Sequence, residues 1–411
     1  MERREVIRRG YLRRLAMGRD DTDVVKIVTG MRRCGKSTLM RQYMDVLHND
    51  GVPDENIVYA NFESAAFRSI EDSDDLDSWL SDIIPRVGRT YVLLDEIQAV
   101  RGWERSINAL LVDRDVDIYI TGSNAYLLSS DLSTYLSGRY VEVPMLPLSF
   151  REFLELNPAD EDTDRYGRLI QYIWTGSLPM VDLDRDSEYT TDLLFGVYST
   201  VVNKDLQTHL NVKDQVRFES IVRFVMSNIG NTTSSNSISK ATGTSPATVR
   251  RYLRGLEDAF LIHKVYRYDI RGKRLMKTQE KYYVTDTGIR NTVLGFAAGD
   301  DLSRQIENIV YLELKRRGYR VDIGCYRDRE VDFTAWRDGS VEYFQVTQTM
   351  LLEETYERET RSLLEMGDNF PKTILSLDPF VRPLGNGLNH RNIVDWLLDD
   401  PTDRRFRPQP L

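Results

Sequence analysis

The chain changes rhythm several times. Over the first 150 residues, short apolar runs at 24–28, 57–62, 91–94, 118–121 and 140–143 alternate with segments of helical spacing at 37–48, 71–80 and 125–136. Aliphatic, β-branched runs with polar ends read as buried strands, and strands alternating with helices predict an α/β unit built on a parallel sheet. Residues 1–19 read as a basic amphipathic helix. Val6, Ile7, Tyr11, Leu12 and Leu15 share a face, and the arginines are expected on a solvated face or against a partner.

From 151 to 230 the spacing is mostly helical, broken at Gly176-Ser177-Leu178-Pro179. Residues 237–256 have a helix-turn-helix rhythm, with a turn at Gly243, Ser245 as N-cap and Pro246 as first helical residue. Val249, Tyr252, Leu253 and Leu256 fall on the inner face of the second helix, and Arg250, Arg251 and Arg254 on the outer face. Strand-like runs at 260–266 and 281–284 bracket a basic tract of Arg267, Arg271, Lys273, Arg274 and Lys277, which reads as a wing. A helix at 307–314 follows, then strands at 320–326, 330–336 and 341–347, with a turn at Asp338-Gly339. Residues 378–411 hold prolines, a short apolar segment around Trp396 and a tail expected to fray.

One loop carries the strongest chemistry. Gly30-Met31-Arg32-Arg33-Cys34-Gly35-Lys36-Ser37 fits the pattern G-x-x-x-x-G-K-[ST], between a strand and a helix. Glycines let successive N–H groups curl inward around a phosphate. Lys36 supplies a cation for the β- and γ-phosphates, Ser37 offers a hydroxyl to Mg2+, and the next helix aims its positive end at the same anion. Gly30, Arg33, Gly35, Lys36, Ser37 and Thr38 are therefore the candidate ATP-binding residues. The strand at 91–94 ends in Asp95, suited to hold Mg2+, and Glu96, suited to orient and activate a water. Ligands of such sheets sit at the carboxyl ends of strands, so Ser123 and Asn124 can sense the γ-phosphate or its water, or simply cap the next helix. Arg139 either reaches a neighbouring subunit's nucleotide or makes a local salt bridge.

Composition narrows the field. A length of 411 residues implies two or three domains, and 41% hydrophobic with 29% charged residues describes a globular chain. A net charge of −9 offers no general attraction to nucleic acid or anionic membrane, so a nucleic-acid site would have to be a local basic patch. The cysteines, Cys34 and Cys325, are far apart, and one lies in the glycine loop. This argues for reduced thiols in a cytoplasmic protein. No apolar run approaches the roughly 18 residues of a membrane span, and the charged N-terminus does not read as a signal peptide.

The glycine loop, Leu93-Leu94-Asp95-Glu96-Ile97-Gln98, Thr121-Gly122-Ser123-Asn124, Leu136-Ser137-Gly138-Arg139 and Pro147-Leu148-Ser149-Phe150-Arg151-Glu152-Phe153 occur in that order. Together they resemble the AAA+-type P-loop ATPases of bacteria and archaea that carry a C-terminal domain of unknown function. The likeness runs from about residue 20 to 375. With the patterning above, it divides the chain into an N-terminal helix (1–19), an α/β P-loop core (20–150), a helical lid and linker (151–230) and a winged helix (231–290). Glu307, Asp332 and Gln345 then resemble, in order, the helix acid, the strand Asp and the (E/Q) position of a PD-(D/E)XK nuclease fold at 291–377, ahead of a C-terminal helix and tail at 378–411. Position 347 is threonine where that motif has lysine. Glu307, Asp332 and Gln345 could hold one Mg2+, but threonine cannot supply the missing charge, so a degenerate module is expected.

The combined expectation is ATP binding with Mg2+-dependent hydrolysis that drives movement of the C-terminal domains. An ATP-switched DNA-binding regulator or nuclease is the alternative, with Arg250, Arg251, Arg254, Lys273 and Arg274 as DNA contacts. A nucleotide-occupied scaffold, with the winged helix used for packing, is a third reading. ATP, DNA and a second copy of the chain are the candidate partners.

Overall fold

The structure is a computed structural model of the chain. It describes residues 5–399 apart from 86–87, 126–134, 137, 159–163, 208–209, 211 and 298. The chain forms two compact units, one of Met1–Pro147 with Asp258–Phe260, the other of Leu148–Glu257 with Leu261–Leu411.

In the first unit, helices α1 (Arg9–Met17), α2 (Lys36–Asn49), α3 (Ser73–Ile83) and α4 (Trp103–Asp113) cover a five-stranded sheet. Its strands are β1 (Val25–Thr29), β2 (Ile57–Asn61), β3 (Thr90–Asp95), β4 (Val116–Gly122) and β5 (Tyr140–Pro144), in the order β2-β3-β4-β1-β5. Every pairing is parallel. Side chains alternate between the faces, as a strand requires. Val92 and Leu94 pack with Leu76 and Leu80 of α3 and Ile107 of α4, while Tyr91 and Leu93 pack with Leu15 of α1 and Leu39 and Tyr43 of α2. Helices on both faces explain why these strands read as unbroken apolar runs. Lys26 is the exception. It is buried in β1 with its ammonium 2.6 Å from Asp117 of β4, the kind of partner that burial of a charge demands. The helix expected at 125–136 falls mainly outside the described residues.

The second unit contains α5 (Phe150–Leu156), α6 (Arg165–Thr175), α7 (Ser187–Thr200) with a π-helical continuation (Val201–Gln207), α8 (Gln215–Ser227), α9 (Ser235–Thr242) and α10 (Pro246–Asp258). Then come α11 (Thr287–Leu294), α12 (Leu302–Arg316), α13 (Glu353–Leu364) and α14 (Ile393–Leu398). They surround a seven-stranded sheet of order β12-β11-β10-β9-β8-β6-β7. The strands are β6 (Ile262–Asp269), β7 (Arg274–Val284), β8 (Arg320–Tyr326), β9 (Arg329–Arg337), β10 (Ser340–Val346), β11 (Lys372–Ser376) and β12 (Leu388–Asn392).

The Leu-Ser-Phe-Arg-Glu-Phe motif at 148–153 has a local cause. Ser149 and Glu152 form a capping box, in which the Glu152 N–H donates to Ser149 Oγ (3.2 Å) and the Ser149 N–H to Glu152 Oε2 (2.8 Å). The helix so started buries Phe150 and Phe153 against Tyr172 of α6, with ring centroids 5.4 and 5.1 Å apart. Between α9 and α10, Gly243 turns at φ +64°, and the Thr248 N–H donates to Ser245 Oγ at 3.2 Å.

Three expectations change. Less of the basic tract is loop than expected. Arg267 lies in β6 and Arg274 in β7, so only four residues, 270–273, connect the two strands. β6 also pairs in parallel with β8, from Arg267↔Ile323 to Asp269↔Cys325, so a boundary at 290 cuts across one sheet. The charged, exposed residues of the tract made these strands read shorter than they are. Third, the segment after 378 adds a strand ahead of its helix: β12 pairs with β11, and Trp396 packs on Phe344 at 5.9 Å.

Candidate functional site

After β1 the chain turns at Gly30, where φ is +148° and a Cβ would stand 2.3 Å from the Met145 carbonyl oxygen. Only glycine fits such an approach. Arg33 is exposed at φ +67°, and Gly35, at φ +104°, immediately precedes α2. Lys36 and Ser37 are then the first residues of that helix, with Ser37 and Thr38 half-buried. Lys36 is buried. Its Nζ donates to the carbonyls of Gly30 (2.9 Å) and Met31 (3.1 Å) and lies 3.8 Å from Glu96 Oε1.

The loop is braced from behind by a residue the sequence pattern misplaced. Arg8 was expected on a solvated face. Instead its guanidinium is buried and donates to the carbonyls of Cys34 (3.0 Å), Leu146 (2.8 Å) and Pro147 (3.3 Å). A guanidinium has five donors and fits where several carbonyls converge, which outweighs its preference for water. Both cysteines are free and buried, and burial pushes the Cys34 thiol up, away from a reactive thiolate.

Strand order brings the acids to the loop. β4 lies between β1 and β3, and its end supplies Thr121. The Thr121 hydroxyl donates to Asp95 Oδ1 and accepts the Glu96 N–H at 3.0 Å, so one side chain orients both acids. Asn61, in register with Asp95 across β2 and β3, donates to Asp95 Oδ2 at 2.7 Å, and the Tyr59 hydroxyl reaches the same oxygen at 3.3 Å. Donors on both oxygens fix the orientation of this buried carboxylate. Glu96 adopts φ +54°, turning its side chain out of the strand, where Gln98 Nε2 donates to its Oε2. At the end of β4, Ser123 Oγ is buried with no hydrogen-bond partner among the described residues, and Asn124 is buried beside it. Asn61, Thr121 and Gln98 all stand at or just past strand ends, which is the signal that could have found them.

Arg139 is not part of this gathering. It precedes β5, its carbonyl accepts the Val25 N–H, and its Nη2 donates to Asn108 Oδ1 at 2.5 Å. That is the amino edge of the sheet, about 16 Å from the loop across the length of β1. The rest of the set fits a magnesium–triphosphate by its chemistry: a glycine-bounded loop at a helix N-terminus, an ammonium, a hydroxyl, a fixed carboxylate and an orphaned buried hydroxyl.

Residues 22–154 match the family model of the AAA domain, and residues 166–300 match that of Domain of unknown function (DUF8612). A Haemophilus influenzae protein, described as uncharacterized, is 38% identical over 405 residues, covering 97% of this chain and 100% of its own. The chain belongs to the family of that protein. An uncharacterized protein of Methanocaldococcus jannaschii is 26% identical over 355 residues, 82% of this chain and 77% of its own. Among solved structures, the replication initiator DnaA bound to AMPPCP and single-stranded DNA aligns at a TM-score of 0.31 and 16% identity, over 62% of this chain and 89% of its own. That likeness is too slight to carry an argument. The first unit of this family member is an AAA+ P-loop ATPase-like core.

In the second unit, Arg250, Arg251, Arg254, Lys273 and Arg274 are all exposed, and Val249, Tyr252, Leu253 and Leu256 are buried as their spacing implies. Glu307 of α12 and Asp332 of β9 do enter one cluster, but with partners the motif did not include. Lys281 of β7 places its Nζ 3.2 Å from Glu307 Oε1 and 2.7 Å from Glu330 Oε1, and the Tyr283 hydroxyl donates to Glu307 Oε1 at 2.6 Å. Burial pulls the Lys281 ammonium down, yet Glu307, Asp332 and Glu330 more than offset this and hold it above the ordinary lysine value. Burial and then Glu307 push Asp332 well above the usual carboxylate range. Gln345 Oε1 accepts the Asp332 N–H at 3.3 Å, while Asp332 Oδ2 accepts the Val346 N–H at 2.8 Å. Thr347 Oγ1 donates to the Thr349 carbonyl. Among the described residues, no group of three or more His, Cys, Asp or Glu is spaced to hold a metal ion.

A serine–histidine–aspartate contact further on has the wrong polarity for a nucleophile. His390 Nδ1 accepts the Arg382 N–H at 3.1 Å, so the neutral ring carries its proton on Nε2, 2.8 Å from Ser376 Oγ. Ser376 in turn donates to Asp378 Oδ2 at 3.1 Å. The histidine cannot act as base to that hydroxyl.

Proposed function

We propose that the chain hydrolyses ATP at the Gly30–Ser37 loop and that its nucleotide state governs the second unit. The observation that carries this is the 3.8 Å approach of Lys36 Nζ to Glu96, which joins the phosphate-binding lysine to the candidate water-activating acid. In this reading, loop N–H groups, Arg33, Lys36 and Thr38 hold the phosphates, while Ser37 and Asp95 hold Mg2+, which supplies charge neutralisation. Asn61 and Thr121 keep Asp95 oriented, and Gln98 steadies Glu96. Glu96 accepts the proton of the attacking water, and Ser123 with Asn124 offers a polar rim for that water or the γ-phosphate. Arg139, far from its own loop, acts on the nucleotide of a second copy. Phosphate release measured with Lys36→Ala tests the core of the proposal, and hydrolysis that survives this change overturns it. Specific activity that stays flat as protein concentration rises removes Arg139 from the mechanism.

The exposure of the five basic residues supports a second element, in which α9, α10 and the β6–β7 hairpin act as a winged helix on DNA backbone. The fold around Glu307, Asp332 and Gln345 is read as a nuclease-like module without nuclease activity. A salt-dependent DNA mobility shift lost on changing Arg250, Arg251 and Arg254 to alanine supports the winged-helix role, and the absence of any shift at low salt eliminates it.

A further inference from the structure

The cluster around Lys281 draws on three elements of the second unit. β7 supplies Lys281 and Tyr283, α12 supplies Glu307, and β9 supplies Glu330 and Asp332. The lysine and Asp332 sit where charge cannot be left to water, at 4% and 9% exposed, while Glu307 and Glu330 reach in from the half-buried margin. Glu307 and Glu330 meet there, with Asp332 near enough to feel both Glu307 and Lys281, and carboxylates brought together in such a place need a cation between them. A divalent metal would draw oxygens in to about 2.0–2.4 Å. The carboxylate oxygens of Glu330 and Glu307 instead stand 2.7 and 3.2 Å from a nitrogen, the spacing of ammonium hydrogen bonds. Gln345, which would complete a metal set, spends its carbonyl oxygen on the Asp332 backbone.

We propose that the Lys281 ammonium is the resident cation of this cluster, a built-in counter-ion from β7 that takes the place of a divalent metal between Glu307, Glu330 and Asp332. The lysine absent at position 347 is therefore not restored as a catalytic group. A different lysine neutralises the acids and closes the site to metal. This deepens the inactive nuclease-like reading and rests on it; it does not depend on ATP hydrolysis by the first unit. The same cation ties the loop before α9 into the cluster, because Glu330 also accepts from Thr232 Oγ1 at 3.5 Å.

The test is metal exchange at this position, using Mn2+ alone with the full, nucleotide-free chain. Lys281→Met leaves three carboxyl groups without a cation. Its melting temperature is expected to fall by roughly 10 °C, and millimolar Mn2+ to restore at least half of the loss. Adding Asp332→Asn to that variant should abolish the rescue. If Lys281→Met does not fold alone, Mn2+ present during refolding should recover it. Failure of Mn2+ to rescue or refold Lys281→Met overturns the assignment of the lysine to a metal's place. A wild-type stabilisation by Mn2+ that disappears with Asp332→Asn overturns it as well, by showing a resident metal site. Mg2+-dependent DNA cleavage by the wild type, lost with Asp332→Asn, instead removes the nuclease-inactive reading on which the proposal rests.

Discussion

Lys36 and Lys281 are both buried lysines beside carboxylates, and they are held in opposite ways. Lys36 hangs from two main-chain carbonyls of a glycine-bounded loop, with Glu96 at 3.8 Å and the start of α2 at its side. Lys281 is wedged between two carboxylates at 2.7 and 3.2 Å, with a third nearby and a tyrosine hydroxyl closing on Glu307. The first lysine keeps its charge on offer, because neutral carbonyls satisfy its hydrogens without neutralising it. The second is spent, because its charge is cancelled where it stands. In the proposed reading, the same residue type makes a site for an incoming anion in one unit and a closed electrostatic staple in the other.

The largest expected effect breaks the first half of this contrast. Glu96→Gln keeps the shape and the contact region of Gln98 but removes the base, so the turnover number for ATP should fall roughly 10²–10⁴-fold while nucleotide affinity changes little. Single-turnover phosphate release alongside nucleotide titration separates the two. A parallel loss of affinity and rate would show that Glu96 acts by holding Lys36.

The next effect lies in the acid response of the second unit. His263 in β6, with Nε2 3.1 Å from Thr285 Oγ1, is pulled down to about 4 by burial and by Lys315. The folded ring stays neutral at pH values where an unfolded chain already takes up its proton, below about 6.5. Stability from this group is full above pH 6.5 and drains away as pH falls toward 4, by about 3 kcal/mol in all. Denaturant midpoints for wild type and His263→Gln between those pH values should show the variant with the shallower slope. Equal slopes would mean that the ring opens to water.

Arg8→Met probes the brace behind the loop. It leaves three buried carbonyls without their donor and should destabilise the first unit by about 2 kcal/mol, seen as a lower urea midpoint. The smallest change, Tyr283→Phe, removes one hydroxyl from Glu307 and should cost about 1 kcal/mol. Its effect should fall further in Lys281→Met, since both groups serve the same carboxylate, and a double-mutant cycle measures that coupling.

Much of the first site was legible because its signals are local. A glycine that admits no Cβ, a lysine and serine opening a helix, and two acids ending an apolar strand each follow from backbone geometry within a few residues. Asn61 and Thr121 were harder to see, because their value lies in strand register, Asn61 across from Asp95 and Thr121 on the intervening strand. Arg8 was misread because basic composition argues for solvent until a cluster of carbonyls is known to wait for it. In the second unit, the helix-turn-helix pattern placed its buried and exposed residues correctly, yet the two strands bracketing the basic tract were read too short, and the pairing of β6 with β8 was not foreseen.

What the amino-acid order determined alone is therefore the set of short-range features: the phosphate-type loop, the capped helix at Ser149, the turn at Gly243 and the missing lysine at 347. Each depends on dihedral preferences and caps that span at most a turn or two. Tertiary structure alone decided which charges meet. Lys281 lies 26 residues from Glu307 along the chain, and only the packing of α12 on β7 and the reach of Glu330 from β9 bring its ammonium among the acids. Electrostatic partners act through space over a few ångströms, and sequence separation carries no information about that distance until the sheet is assembled.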